Sequence, residues 1–326
     1  MRRLSVAALV LCTSTMVLAA QPVAKVQLPC ESNSQELSPN GSQLAVQCKD
    51  HSLLLVEVFG GSARTVISAG QGLNTFVYSP SGAQLAAGFT DGSVEVIGAG
   101  GTASKRHWKA DSHRIDLLYF SPDYKYLFVG PVDSPGQVWD IRERACCKNQ
   151  PKEDALPAKA ATLPVDFGGI SAVAASPDGK LLVAVGDDTV LRWYDTASWQ
   201  KTRYYRGFLL ETFALHFTTD GKQLLAGGAD ARLTIFDVAS GKQLRQTPSE
   251  AGASVAFIDV LGNGQTAVVY FDDAGEKPPH ALLWDLATLT SAPIKADAPP
   301  TCGGVIAGKL QLCTVDGKTL TLSQYQ

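Results

Sequence analysis

The amino-acid sequence predicts an all-β protein in which seven copies of one four-stranded antiparallel unit close into a ring. Turn segments of the Ser-Pro-Asp-Gly type recur with starts 41, 42, 55 and 42 residues apart, at Ser38, Ser79, Ser121, Ser176 and Thr218. Looser copies follow at 261–264 and 307–308. Seven units across residues 21–326 average about 44 residues, the length of a propeller blade. The predicted fold class is therefore a seven-bladed β-propeller that forms a single domain.

The fourth unit shows the internal order of strands and turns most clearly. Residues 172–175 form a β-rich run, a Ser-Pro-Asp-Gly turn follows at 176–179, and strands are predicted at 181–185 and 189–194. Apolar and polar residues alternate along 190–193, as in a strand with one buried face. Throughout the chain we find no segment with the length and periodicity of an amphipathic helix.

Four units end a predicted strand with an aromatic residue followed by aspartate. These pairs are Trp139-Asp140, Tyr194-Asp195, Phe236-Asp237 and Trp284-Asp285. With the repeat period they resemble the WD-repeat β-propeller family over nearly all of residues 21–326. The family's Gly-His pair is missing from every unit, and units three, six and seven are degenerate, so the resemblance is to WD-like bacterial propellers.

The two ends of the repeat array predict how the ring closes. The seventh unit stops after 319–325 without an outer strand, and the alternating segment 23–28 precedes the first complete unit. We expect this N-terminal strand to complete the seventh blade, which leaves no large exposed sheet edge. Ala24, Val26 and Leu28 should then face the neighbouring blade, with Lys25 and Gln27 facing out.

Residues 1–20 have the three regions of a cleaved signal peptide. Arg2 and Arg3 precede an apolar run, and small residues follow at 17–20. The alternative is a transmembrane anchor, but polar residues interrupt the run, which is shorter than the ~20 apolar residues that a span requires. We therefore predict a periplasmic or secreted protein that does not insert into the membrane after cleavage.

The overall charge bears on the partner. The net charge is -3, and it becomes -5 when the two arginines of the signal leave. Because there is no basic excess to collect phosphates, a nucleic-acid partner is not expected. We expect a monomer that binds a protein or peptide.

Six cysteines remain after the signal, which suits an oxidising compartment. Residues that flank hairpin turns predict two bridges, Cys30 with Cys48 and Cys302 with Cys313. The adjacent Cys146 and Cys147 lie in an insertion at 142–159. They could bridge each other, stay reduced or join another molecule. A second insertion covers 272–279, and the topology of the WD-repeat family implies that the two loops lie on opposite faces.

Known catalytic and nucleotide-binding motifs fit poorly. The glycine-rich segment 98–103 lacks a following helix, and 303–309 is better explained as a hairpin. The five histidines are scattered through different units and form no metal-binding pair. We expect no cofactor, and a lactonase-like hydrolase or metal enzyme with a central-channel site is the alternative function.

One aspartate per unit recurs between the second and third strands, at Asp50, Asp91, Asp133, Asp187, Asp230, Asp273 and Asp316. Turn capping explains this pattern, and a ring of carboxylates that favours a basic peptide or a cation is the functional alternative. The loops on this face predict a non-catalytic scaffold with a protein or peptide partner. Its candidate binding residues are His51, Phe89, Trp108, His113, Arg114, Arg206, Phe208 and Asp273.

Overall fold

The computed structural model describes residues 20–100, 105–142, 156–250, 252–273, 279–294, 300–307 and 309–325. Most of the predicted signal peptide lies outside these residues, as do Cys146 and Cys147. The described residues form 28 strands in seven sheets of four. No helix in these ranges is both long and apolar enough to cross a bilayer. The predicted seven-bladed propeller is confirmed.

Consecutive strands are antiparallel neighbours within each blade, and the first strands of neighbouring blades contact one another around the central channel. Blade 1 contains β2 (Ser32–Leu37), β3 (Gln43–Cys48), β4 (Leu53–Glu57) and β5 (Ala63–Ile67), and blade 2 contains β6 (Leu73–Tyr78), β7 (Gln84–Phe89), β8 (Ser93–Gly98) and β9 (Lys105–Lys109). Blade 3 contains β10 (Ile115–Phe120), β11 (Tyr126–Pro131), β12 (Gly136–Asp140) and β13 (Ala158–Leu163), and blade 4 contains β14 (Ile170–Ala175), β15 (Leu181–Gly186), β16 (Leu191–Asp195) and β17 (Lys201–Tyr205).

The other three blades follow the same order. Blade 5 contains β18 (Thr212–Phe217), β19 (Gln223–Gly228), β20 (Leu233–Asp237) and β21 (Gln243–Gln246), and blade 6 contains β22 (Ala253–Val260), β23 (Thr266–Asp273), β24 (His280–Asp285) and β25 (Thr290–Pro293). Blade 7 contains β26 (Pro300–Ile306), β27 (Lys309–Asp316), β28 (Thr319–Tyr325) and β1 (Ala20–Gln27). We call the end at which the first strands begin the upper face. It carries the connections between blades and the turns between second and third strands.

The repeated Ser-Pro-Asp-Gly turns join the first and second strands on the lower face. In the five clearest copies, the Ser or Thr hydroxyl accepts a hydrogen bond from the backbone N–H five residues later, as Ser176 Oγ does from Leu181 N at 3.0 Å. Asp178 accepts from that hydroxyl at 2.6 Å, and Gly179 has a φ of 70°, which favours glycine. The motif recurs because each residue satisfies one requirement of the turn.

The aromatic residue of each aromatic-Asp pair is buried between blades, and the aspartate lies at the next turn. Tyr194 and Phe236 are among the largest fully buried side chains. Asp237 Oδ1 accepts from Ser240 N at 2.8 Å, and Asp195 Oδ1 accepts from Ser198 N at 2.9 Å. In each pair, therefore, the aromatic residue packs between two blades and the aspartate stabilises the turn that leads into the fourth strand.

Ring closure by the N-terminal strand is consistent with the observed pairing of β1 with β28. Val26 and Leu28 are 2% and 1% exposed, whereas Lys25 and Gln27 are exposed, as predicted. The strand begins at Ala20, three residues earlier than expected. Val26 and Leu28 belong to an apolar cluster that joins blade 7 to blade 1.

Both predicted disulfides are present in the structure. The Cα atoms of Cys30 and Cys48 are 5.8 Å apart, and those of Cys302 and Cys313 are 4.9 Å apart. Cys302 lies directly opposite Cys313 in the β26–β27 register, and β26 and β27 form the predicted hairpin. Cys30 precedes β2, so its bridge ties the connection between β1 and β2 to the second strand of blade 1.

Candidate functional site

Five predicted binding residues lie on the upper face, in turns or connections between blades. His51 Nδ1 is 3.1 Å from the Leu73 carbonyl, and Arg114 pairs with Asp116 at 2.6 Å. Arg206 pairs with Asp166, Phe208 packs partly buried against the blade 4–5 core, and His113 is half-exposed. Asp273 ends β23, and its side chain is outside the described structure.

Two predicted contact residues are wrong. Phe89 and Trp108 are each only 4% exposed and belong to apolar clusters between blades. Trp108 packs against Trp139 with ring centroids 5.7 Å apart. Both side chains fill the space between adjacent sheets, so neither can touch a partner on the upper face.

The repeated aspartates are better explained by turn structure than by a ring of free carboxylates. Asp50 and Asp91 accept hydrogen bonds from the backbone N–H groups of Ser52 and Ser93, both at 2.9 Å. Asp230 accepts from Arg232 N at 3.1 Å. Two members differ from the prediction, because Asp273 and Asp316 are the last residues of strands rather than turn residues.

One Ser-His-Asp group assembles on the upper face between blades 2 and 3. His113 Nδ1 lies 2.7 Å from Asp111 Oδ1 and 3.0 Å from Ser134 Oγ. Both contacts use the same imidazole nitrogen, whereas a hydrolase needs the serine and the carboxylate on opposite nitrogens. This geometry does not form a proton relay.

The same group continues as a structural network. Gln137 Nε2 donates to Asp111 Oδ2 at 2.8 Å, and Trp139 Nε1 donates to Gln137 Oε1 at 3.1 Å. Burial alone would raise the pKa of Asp111, but hydrogen bonds from His113 and the backbone lower it overall. The network ties the connection between blades 2 and 3 to the third blade. It performs this role without the Gly-His pair of the WD-repeat pattern.

An exposed apolar patch lies on the upper face where blades 3, 4 and 5 meet. We call Phe167, Leu209, Leu210 and Phe213 the upper patch; their exposures are 65%, 92%, 51% and 40%. Phe167 lies in the connection between β13 and β14, whereas the two leucines lie between β17 and β18. Sequence reasoning missed all four residues.

Hydrogen bonds hold the loop that bears Phe167. Asp166 N donates to Asp188 Oδ2 and Gly169 N donates to Asp187 Oδ2, both at 2.7 Å. Asp166 also pairs with Arg206 at 2.7 Å, which joins this loop to the one that carries Leu209 and Leu210. Two linked loops therefore present Phe167, Leu209 and Leu210, whereas Phe213 lies on β18.

A buried ion pair supports this loop from below. Arg192 Nη1 donates to Asp188 Oδ1 at 2.9 Å, and both side chains are almost fully buried. Burial alone would raise the pKa of Asp188, but the hydrogen bonds from Arg192 and the backbone lower it overall. Since Asp188 is held ionised, it keeps its acceptor for Asp166 N.

Charged groups around the upper patch are mainly acidic. Four carboxylates lie in its loops or in the adjoining turns, against the two guanidinium groups of Arg206 and Arg232; the carboxylates are those of Asp166, Asp187, Glu211 and Asp230. Among the described residues, no group of three metal-ligating side chains has the spacing to hold a metal ion.

Comparison with known proteins agrees with this architecture. The model of the WD40 family (WD domain, G-beta repeat) matches residues 160–195, which span most of β13 and the first three strands of blade 4. A chain in the crystal structure of the mitotic checkpoint complex superposes with a TM-score of 0.75 at 16% identity. The alignment covers 99% of this chain and 98% of that one. At this identity the likeness concerns the fold alone. No curated protein matches the sequence significantly.

The fold is a seven-bladed β-propeller, and one segment of it matches the WD40 repeat model. The WD40 match begins in the fourth strand of one blade and ends with the third strand of the next. The sequence repeat is thus offset from the blade by one strand. The same offset closes the ring, where β1 completes blade 7.

Proposed function

We propose that this protein is an exported, non-catalytic scaffold that binds a protein partner on its upper face. The observation that carries this proposal is the upper patch. WD-repeat propellers typically serve as interaction scaffolds, and a structural neighbour is a component of a multiprotein complex. The signal-like N-terminus and the two disulfides support export.

The upper patch has the properties of a binding hot spot. Burying a large apolar side chain fully contributes about 1.5–3 kcal/mol, so Phe167 and Leu209 together offer a few kcal/mol. Their loops are already held by the Asp166–Arg206 and Asp166–Asp188 contacts, so little loop entropy is lost on binding. An ordered cluster of this kind suits a protein–protein contact.

The surrounding charge defines the chemistry of the partner. The carboxylates around the upper patch outnumber its guanidinium groups, and complementary charge favours a segment with apolar residues flanked by lysine or arginine. Arg206 and Asp166 pair with each other, which leaves Asp187, Glu211 and Asp230 against Arg232.

The alternative of a propeller hydrolase has less support. Its best candidate, His113 with Asp111 and Ser134, places both partners on one nitrogen. Within the described ranges, the metal-ligating side chains also form no cluster for a metal enzyme. The scaffold proposal accounts for the upper patch, and a hydrolase does not.

A photo-crosslinking residue at position 209 in the exported protein tests the proposal. The captured partner would be identified by mass spectrometry and purified. Calorimetry would then measure its affinity for the unmodified protein, for Leu209→Glu and for Leu244→Glu. Leu244 is 49% exposed on the outer strand β21 and serves as the matched control. We expect Leu209→Glu to weaken binding by at least about tenfold, because it places a charge against apolar surface. Equal affinities for the two variants would disprove binding at the upper patch.

A further inference from the structure

The lower face carries a groove that the proposed function does not use. It lies over the end of blade 2, between the Ser-Pro-Asp-Gly turns of blades 1 and 3, and its volume is about 830 Å³. We call it the lower groove; its lining includes Asn40, Ser81, Gly98, Arg106, Tyr124 and Arg142. Sites for small molecules commonly measure about 300–1,000 Å³, so the lower groove has the size of a ligand site.

The lower groove is open because the turns of blades 1 and 2 carry small, uncharged side chains. The corresponding turns of blades 3, 4 and 5 each carry an aspartate and a lysine two residues apart, which pair at 2.8, 3.7 and 3.6 Å. Blade 1 has Asn40 and Ser42 at these positions, and blade 2 has Ser81 and Ala83. These two turns therefore have no ion pair to occupy the space beside them.

One wall of the lower groove contains a tyrosine where the other clear copies of the turn have glycine. Tyr124 has a φ of 61°, and the equivalent glycines have φ values of 68° to 74°. This backbone conformation suits glycine and is strained for a tyrosine. The Tyr124 hydroxyl accepts a hydrogen bond from Ser81 N of blade 2, which fixes the ring beside the groove. Strained residues that line a cavity are a common property of ligand sites.

Two guanidinium groups line the lower groove and are held by oxygen atoms of blade 3. Arg106 Nη1 donates to the Ile141 carbonyl at 2.6 Å. Arg142 donates twice to Asp140, at 2.9 and 2.7 Å, and the Asp140 side chain is only 6% exposed. This contact uses two of the five side-chain N–H groups of Arg142. Since no described lining residue has a carboxylate, the groove suits an anion better than a cation.

We propose that the lower groove binds an anionic sugar. The carboxylate or phosphate of the sugar lies at Arg106 and Arg142, because guanidinium groups offer the paired N–H donors that bind both anions. The sugar hydroxyls lie toward Asn40, Ser81 and Tyr124, whose amide and hydroxyl groups can both donate and accept hydrogen bonds. A neutral sugar would leave the guanidinium groups without an anion, and a bare anion would leave the rest of the groove unfilled.

Ligand-observed NMR and calorimetry with the full mature protein test this proposal. The probes are D-glucuronate, D-glucose 6-phosphate and D-glucose, which differ only at carbon 6. We expect the better of the two anionic sugars to bind with a dissociation constant of about 1 mM, as suits a ligand of this size. Glucose should bind at least about tenfold more weakly, because it lacks charge-assisted hydrogen bonds. Acetate and inorganic phosphate, which have no sugar ring, should also bind at least about tenfold more weakly.

Three variants locate the site. Ser81→Asp introduces the aspartate of blades 3 to 5, and its carboxylate can accept from Ala83 N as the Ser81 hydroxyl does at 3.1 Å. The turn should therefore fold, and repulsion of the anion should weaken binding at least about tenfold. Tyr124→Gly restores the glycine of the other copies and should weaken binding about threefold or more, because a wall of the groove is lost. Lys180→Ala removes an exposed cation of the lower face outside the groove and should bind as the unmodified protein does.

The outcomes are independent of the proposed function, because the lower groove and the upper patch lie on opposite faces. Leu209→Glu should keep the anionic sugar, and Ser81→Asp should keep the protein partner. The relative affinities of glucuronate and glucose 6-phosphate show whether the anion is a carboxylate or a phosphate. The proposal is overturned if glucose, acetate or inorganic phosphate binds as tightly as the better anionic sugar, or if Ser81→Asp leaves its binding unchanged. Either result would leave binding of a partner at the upper patch unaffected.

Discussion

Replacing Val26 with aspartate tests how the ring is held closed. Val26 lies on β1 opposite Leu320 of β28 and is 2% exposed. It belongs to the cluster that joins blade 7 to blade 1, together with Leu28, Leu44 and Leu322. A carboxylate at position 26 would face this apolar cluster.

The expected loss of stability follows from two contributions. Removing the buried valine side chain costs about 1–3 kcal/mol through lost burial and the cavity that remains. An unpaired buried carboxylate costs several kcal/mol more. The loss of stability cannot exceed the free energy gained when β1 packs onto blade 7, because at a higher cost the strand would detach instead. We expect a decrease of about 3–5 kcal/mol in unfolding free energy, a large share of a typical 5–15 kcal/mol.

Thermal and urea unfolding followed by circular dichroism measures this loss, and limited proteolysis reports release of β1. Gln27→Asp is the matched control, because Gln27 is the exposed neighbour on the same strand. It should change stability by no more than about 0.5 kcal/mol. Equal stability of the two variants would refute the inward orientation of Val26 and the closing role of β1.

Two further predictions concern the channel and the N-terminus. Burial raises the pKa of Glu36 from 4.5 to about 8. A raised carboxyl pKa gives stability that is fully present below pH 4.5 and is lost as pH rises through 8. Glu36→Gln keeps an acceptor for Tyr78 N. Between pH 5 and 9 the variant should lose about 1–3 kcal/mol less unfolding free energy than the unmodified protein does, as measured by thermal unfolding at both pH values. An equal loss in the two proteins would contradict this prediction. Intact-mass measurement should place the mature N-terminus at Ala20 or Gln21, and a cytoplasmic protein that retains Met1 would contradict export.

The sequence predicted the fold well because its signals are local. A Ser-Pro-Asp-Gly turn needs only residues within about five positions of each other, as Ser176, Asp178 and Gly179 show. The bridge between Cys302 and Cys313 followed from a single hairpin register. Repetition of such short-range signals identified the blades before any long-range contact was known.

The binding surface was harder to predict because it depends on which blades face each other. Both faces of a propeller sheet are packed, so alternation could not show that Phe89 and Trp108 are buried. Phe208, Leu209 and Leu210 did carry a signal, since three consecutive apolar residues in a short connection cannot all face the core. The His113 network was hidden because Gln137 and Trp139 lie on a strand distant in sequence.

Completion of blade 7 by β1 has a consequence for the order of folding. Thr319 and Gln27 touch across 292 residues of chain, whereas the paired strands of the other blades are joined by 17 residues or fewer. Bringing such distant segments together costs about 5 kcal/mol in loop-closure entropy if the intervening chain is still flexible. Once the other blades have formed, they hold β1 and β28 close together, so little further entropy is lost when the two strands pair. Ring closure should therefore be the last and slowest step, during which β1 and β28 expose open edges to aggregation or to chaperones.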